Sequence, residues 1–206
     1  MIMLKLFSFM CGVVLFGMLT LPAQAQFSTK PAPMWEGYEK TALDIQSDEK
    51  FIKEAVELAG GDAAQAALSL IQIGWQRIGE GDPNHAIRAF NQAWLIQADD
   101  PSIFWGFAVA SHIRNDELKM ITRWFDRARQ LIALKGFPES PRLESDEGRV
   151  LAERGENEKA KPLFEKALSL DPNYAPAHIG MINVAAALGD KKLQDKHQKL
   201  HDELVK

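Results

Sequence analysis

Apolar residues along this chain return in steps of three and four, and the steps themselves return in blocks. Ala86, Phe90 and Ala93 in one block reappear as Ala160, Phe164 and Ala167 two blocks later. A block of about 34 residues holding two such stretches is one helical hairpin of a stacked array, because no hairpin buries its apolar face alone. Punctuation agrees with this reading. Asp62, Gly81 with Asp82 and Pro83, Asp99 with Asp100 and Pro101, and Ser140 with Pro141 each precede an apolar stretch. An aspartate or serine there accepts first-turn amides, and a proline at the first helical position forfeits nothing. Residues 135–140 lengthen one connection, Pro162 lies a turn inside its helix, and the last helix, Lys191 to Val205, is polar enough to cap the array.

Upstream, Phe51, Ile52, Ala55, Val56, Leu58 and Ala59 follow Ser47, Asp48 and Glu49 at helical spacing. With residues 35–46 as a partner helix, residues 35–66 are expected to form a degenerate opening hairpin, and residues 26–34, with Pro31 and Pro33, an exposed linker.

Counted from Ala67, the residues Leu70, Ile73, Gly74, Ala86, Phe90 and Ala93 fall on the signature positions of the tetratricopeptide repeat, which this segment resembles. A unit from Pro101 gives Phe104, Phe107 and Ala108, with Phe125 and Ala128 one residue late. A unit from Pro141 gives Gly148, Gly155, Ala160, Phe164 and Ala167, although Glu144 and Glu147 stand where a bulky residue and a leucine are expected. The units are 67–100, 101–140 and 141–174, and residues 175–206 form a partial unit with Met181, Gly189 and Asp190 followed by the cap. The resemblance implies an all-α, right-handed superhelical solenoid of antiparallel helix hairpins. Glycine or alanine facing phenylalanine fits that arrangement, since closely spaced helices need large and small side chains to interdigitate.

In this family the first helix of each hairpin lines a concave groove, with its second, fifth, ninth and twelfth positions inward. The resemblance therefore assigns Leu68, Ile71, Trp75 and Ile78 to the groove, continued by Trp105, Val109 and His112, by Arg142 and Arg149, and by Asn183. Leu70 and Ile73 are left to close the hairpin, and Trp35, Trp94 and Trp124 to pack between helices. A groove graded from apolar to charged suits an extended peptide or an amphipathic helix. The bland alternative is that Trp75 and Trp105 pack against each other as core.

Composition alters the picture at the N-terminus. Lys5 precedes an apolar run from Leu6 to Leu21 and then Ala23, Gln24 and Ala25, the layout of an export signal cut after Ala25. The run is shorter than the roughly 20 residues that cross a bilayer comfortably, which leaves an uncleaved anchor as the alternative. Removing residues 1–25 takes the formal charge from −4 to −5 and removes Cys11, the one cysteine. Mild acidity argues against a nucleic-acid surface. No nucleophile elbow, glycine-rich phosphate loop or zinc-helix motif is present, and no cofactor or metal is expected. His197 and His201, four apart, read as solvated side chains of the cap and lack a third ligand. The expectation is a non-enzymatic, periplasmic or secreted scaffold that binds a peptide or protein partner, free of the membrane once the signal is cut. A self-associating structural component, a homo-oligomer, is the alternative.

Overall fold

The computed structural model describes residues 31–206, so the signal segment, its cysteine and residues 26–30 lie outside the described residues. A single 3-10 turn at Pro33–Trp35 precedes nine α-helices: α1 (Ala42–Leu58), α2 (Ala63–Gly79), α3 (Pro83–Ile96), α4 (Pro101–Ile113), α5 (Leu118–Lys135), α6 (Pro141–Glu153), α7 (Asn157–Leu170), α8 (Ala175–Ala187) and α9 (Lys191–Leu204). The described residues are thus all-α. From α2 onward the helices pack as sequential antiparallel pairs, α2 with α3, α4 with α5, α6 with α7 and α8 with α9. The leading helices α2, α4, α6 and α8 also touch one another in sequence, whereas α3, α5 and α7 do not approach each other to the same extent. The array therefore closes along its leading helices and opens along the others.

Local chemistry sets the helix ends. Asp62 accepts from the amides of Ala64 and Gln65 at 2.9 and 3.1 Å, Asp82 from His85 at 3.2 Å, Asp100 from Ser102 at 2.8 Å, and Asp190 from Leu193 at 3.0 Å. The turn inside each hairpin needs one residue at positive φ. Gly81, Gly155 and Gly189 supply it at 73°, 80° and 74°, and Asn115 supplies it at 64° in the second hairpin.

The N-terminal region departs from expectation. Residues 35–66 contain one helix and no opening hairpin. Thr41 and Asp44 form a reciprocal capping box, which starts α1 six residues ahead of Ser47 and leaves Ser47, Asp48 and Glu49 inside the helix. Pro33 and Gly37, the latter at φ 82°, keep the preceding stretch out of helix. Residues 31–34 are not an exposed linker either: Pro33 is buried and the backbone around it is bonded to α3.

The core is built from phenylalanine set against glycine. Phe90 is fully buried, and a β-carbon added at Gly74 or Gly106 would lie 2.6 or 2.2 Å from its ring. Phe164 repeats the device with Gly148 and Gly180, where the distances would be 3.0 and 2.2 Å. Each ring is therefore wedged between two leading helices that come close because one residue on each has no side chain. Phe125 and Ala128, displaced by one residue in sequence, are nonetheless fully buried.

Glu144 and Glu147 are the exception in this apolar interior, with 2% and 6% of their surface exposed. Arg129 of α5 reaches both, with Nε 3.2 Å from Glu144 and Nη2 against Glu147. Lys166 of α7 lies 2.9 Å from Glu144 on the other side. The departures from the repeat signature are thus compensated by cations on two different helices.

Candidate partner-binding groove

Four leading helices present one continuous face, and its character changes along the array. At the α2–α4 end, Trp75 and Trp105 pack edge to face with ring centroids 5.0 Å apart, and Trp75 also meets Phe90 at 5.8 Å. Arg142 of α6 lies over both indoles, 5.1 Å from Trp75 and 5.2 Å from Trp105, within the range of a cation–π contact. The indole N–H of Trp105 donates to Asp146 at 3.0 Å. Two tryptophans, one arginine and one carboxylate from three successive units are thereby fixed into one ledge.

Beyond the ledge, α6 and α8 enclose a cleft of about 370 Å³. Phe164, Gly180 and Ile179 form its apolar part, and Ser145, Arg149 and Asn183 line it with polar groups. The glycine is required for the cleft, because a β-carbon at position 180 would collide with the Phe164 ring that floors it.

The charged groups on this face are largely paired with one another. Arg149 donates to Glu153 at 3.0 Å, and His112 of α4 meets the same carboxylate at 2.5 Å. Burial opposes the Glu153 charge, but the hydrogen bonds from Arg149 and His112 outweigh it and hold this carboxyl below its ordinary range. Asp146 is shifted the other way. Its burial pushes the carboxyl up despite Arg149, Arg142 and the Trp105 hydrogen bond.

Of the residues assigned to the groove from sequence, Arg142, Arg149 and Asn183 are exposed on this face, Trp75, Trp105, Ile78 and His112 are half-buried, and Leu68 is 45% exposed. Ile71 and Val109 do not belong to it. Each is only 4% exposed and sits in the apolar core. The close approach of α2 and α4 that Gly74 and Gly106 permit turns these inward positions into helix–helix contacts. Ile73, expected to close the hairpin, is 43% exposed instead. It lies on α2, where a complete preceding hairpin would stack, and the single helix α1 leaves that side partly open. Asp146, Glu153 and Gly180 were missed. Asp146 and Glu153 carried a signal, each standing four residues after an assigned arginine.

The histidines of the cap also differ from expectation. His197 is 5% exposed, and its Nδ1 lies 2.9 Å from Nδ1 of His178, itself 3% exposed. Nε2 of His178 is 2.9 Å from the Pro172 carbonyl, which only accepts. When both rings are neutral, His178 therefore carries its proton on Nε2 and accepts at Nδ1 from His197. Burial, with repulsion from His178 in its protonated form and from Lys196, holds the His197 pKa below its ordinary 6.5, against a smaller opposing pull from Glu165 of α7. The folded state thus binds this proton less readily than the unfolded chain. Stability present above pH 6.5 is lost as the pH falls from there toward the lowered value, and the loss then levels off. Urea-unfolding midpoints between pH 5 and 8 are expected to fall on the acid side, and to fall less in His197→Asn. An unchanged pH slope in that variant contradicts the assignment.

Among the described residues, no three of His, Cys, Asp or Glu gather as a metal site, and no described helix is long and apolar enough to cross a membrane. No family model matches this sequence, and no curated protein matches it significantly. Solved structures do. A crystal structure of MamA matches over 82% of this chain and 95% of its own, at 18% identity and a TM-score of 0.52. PilW, described as a widely conserved type IV pilus biogenesis factor, matches over 78% of each chain at 19% identity and a TM-score of 0.57. At such identities the likeness shows the fold: this chain has the helical-hairpin repeat architecture of the tetratricopeptide-repeat proteins MamA and PilW.

Proposed function

We propose that the protein is a non-enzymatic scaffold of the cell envelope that holds a peptide or protein partner along the face of α2, α4, α6 and α8. The observation that carries this reading is the continuity of the Trp75–Arg142–Trp105 ledge with the cleft between α6 and α8. Aromatic and arginine side chains set beside a concavity are the residues that most often dominate an interface. The fold supports a binding role without naming the partner. The envelope location rests on the export layout of residues 1–25, and the description of PilW as a pilus biogenesis factor is in keeping with a role in assembling an envelope structure.

A second reading, self-association, is favoured by the N-terminal end, where Leu43, Leu58 and Ile73 are 74%, 91% and 43% exposed. Site-specific photo-crosslinking in the native host separates the two. A crosslinker at Arg149 or Asn183 is expected to capture a partner that one at Arg88 or Lys159, exposed on the other helices, does not. Equal capture from both sets removes the groove from consideration. Capture of a second copy from Leu58, with none from Asn183, favours self-association.

A further inference from the structure

The helices opposite the groove already hold a peptide, and it is the chain's own. Residues 31–36 cross from the end of α4 over α3 to α5, where the array is open. Asn91 of α3, 2% exposed, grips the strap by its backbone: its side-chain N–H donates to the Ala32 carbonyl at 2.9 Å, and its carbonyl accepts from the Met34 amide at 2.7 Å. Arg114 donates to the Pro31 carbonyl at 2.5 Å and is itself oriented by Asp116, whose carboxylate it meets at 2.5 Å. Pro33 is buried between these contacts, Trp35 meets Trp94 with centroids 6.2 Å apart, and Glu36 pairs with Arg123 at 2.5 Å.

Two features set this strap apart from an ordinary chain start. Its partners lie 57 to 87 residues away in sequence, so the site is assembled from α3, the end of α4 and α5 of the folded array. Met34 and Trp35 both take φ 53°, a left-handed conformation uncommon for residues with side chains. Bonds within the strap, from the amides of Trp35, Glu36 and Tyr38 to the carbonyls of Ala32, Pro33 and Trp35, share that turn with the two bonds to Asn91.

We propose that the wedge between α3 and α5 is a second peptide site, which takes a proline-containing turn through its backbone, with an aromatic and an acid following. Residues 31–36 are its resident ligand and compete with any segment of the same chemistry supplied in trans. The site is separate from the groove, so its existence does not depend on what the groove binds.

Placing a protease site between Gly37 and Thr41 of the full-length chain tests this. After cleavage, the N-terminal fragment is expected to remain with the helical array and to be displaced by an excess of a labelled synthetic peptide of residues 29–38. The uncut protein is expected to resist that peptide, because the tethered strap is always at hand. Asn91→Ala is expected to weaken peptide binding by about tenfold, the loss of one to two neutral hydrogen bonds. A peptide carrying Trp35→Ala, tested on unaltered protein, gives the same direction without touching the fold. No binding to the cut protein, equal binding to cut and uncut protein, or indifference to both substitutions overturns the proposal.

Discussion

Replacing Arg129 by methionine is expected to destabilise the protein by about 3–5 kcal/mol, the cost of stranding a buried charge whose partner has been removed. Glu144 and Glu147 are almost wholly enclosed between α5, α6 and α7, and Arg129 is the side chain that reaches both. Lys166 still meets Glu144 but does not pair with Glu147. For a domain of this size the loss corresponds to a melting temperature lower by roughly 10 °C. The triple substitution Arg129→Met, Glu144→Leu, Glu147→Leu is expected to recover most of it, because apolar side chains of similar volume restore packing with no charge left to solvate. Urea unfolding of the single and triple variants checks both statements. A cost under about 1 kcal/mol for Arg129→Met, or a triple variant no more stable than the single, would show that the cluster is solvated and contributes little.

This cluster also marks where the sequence stopped being legible. Asp82 and Asp100 before prolines, and the return of Ala86, Phe90 and Ala93 as Ala160, Phe164 and Ala167, act within a turn or a hairpin, and the structure places helix starts and core where they indicate. Glu144 and Glu147 read as flaws in the repeat because their compensation lies on other helices, Arg129 on α5 of the preceding hairpin and Lys166 on α7 of their own. His197 read as solvated for the same reason, its partner His178 being on another helix.

The groove was half legible. The register that the family resemblance supplies assigns Arg142, Arg149 and Asn183, and the structure leaves all three exposed. Ile71 and Val109 do not, since whether an inward position meets solvent or the next helix depends on how closely two helices approach. A heptad-like stripe fixes direction on one helix and says nothing of the distance to the next. The N-terminal strap was least legible: two prolines keep a chain out of α-helix equally well whether it is free or held, and only Asn91 and Arg114, far along the sequence, decide between them.

Truncating Phe90 to alanine is expected to cost about 3–5 kcal/mol, because its ring fills the space that Gly74 and Gly106 leave between α2 and α4. The same wedge makes a sharper forecast at the glycines. Alanine in a helix interior is better than glycine by up to about 1 kcal/mol on propensity alone, so a helical glycine with free space gains from the change. Gly106→Ala is expected to go the other way, by about 1–3 kcal/mol, because its new carbon would lie 2.2 Å from the Phe90 ring. Shrinking the ring with Phe90→Leu is expected to make Gly106→Ala less harmful, so the double variant is more stable than the sum of the singles. Gly180→Ala, with the same 2.2 Å conflict against Phe164, is expected to cost more than Gly148→Ala, where the distance is 3.0 Å and a small shift suffices. Denaturant midpoints for these glycine and ring variants test this order, and a neutral or stabilising Gly106→Ala would show that the helices are not held apart by the ring. Gly180 adds a functional readout: since the Phe164 ring and Gly180 together form the apolar wall of the cleft, its alanine variant is expected to lose crosslinking from Asn183 along with stability, whereas Gly106→Ala, remote from the cleft, is expected to lose stability alone.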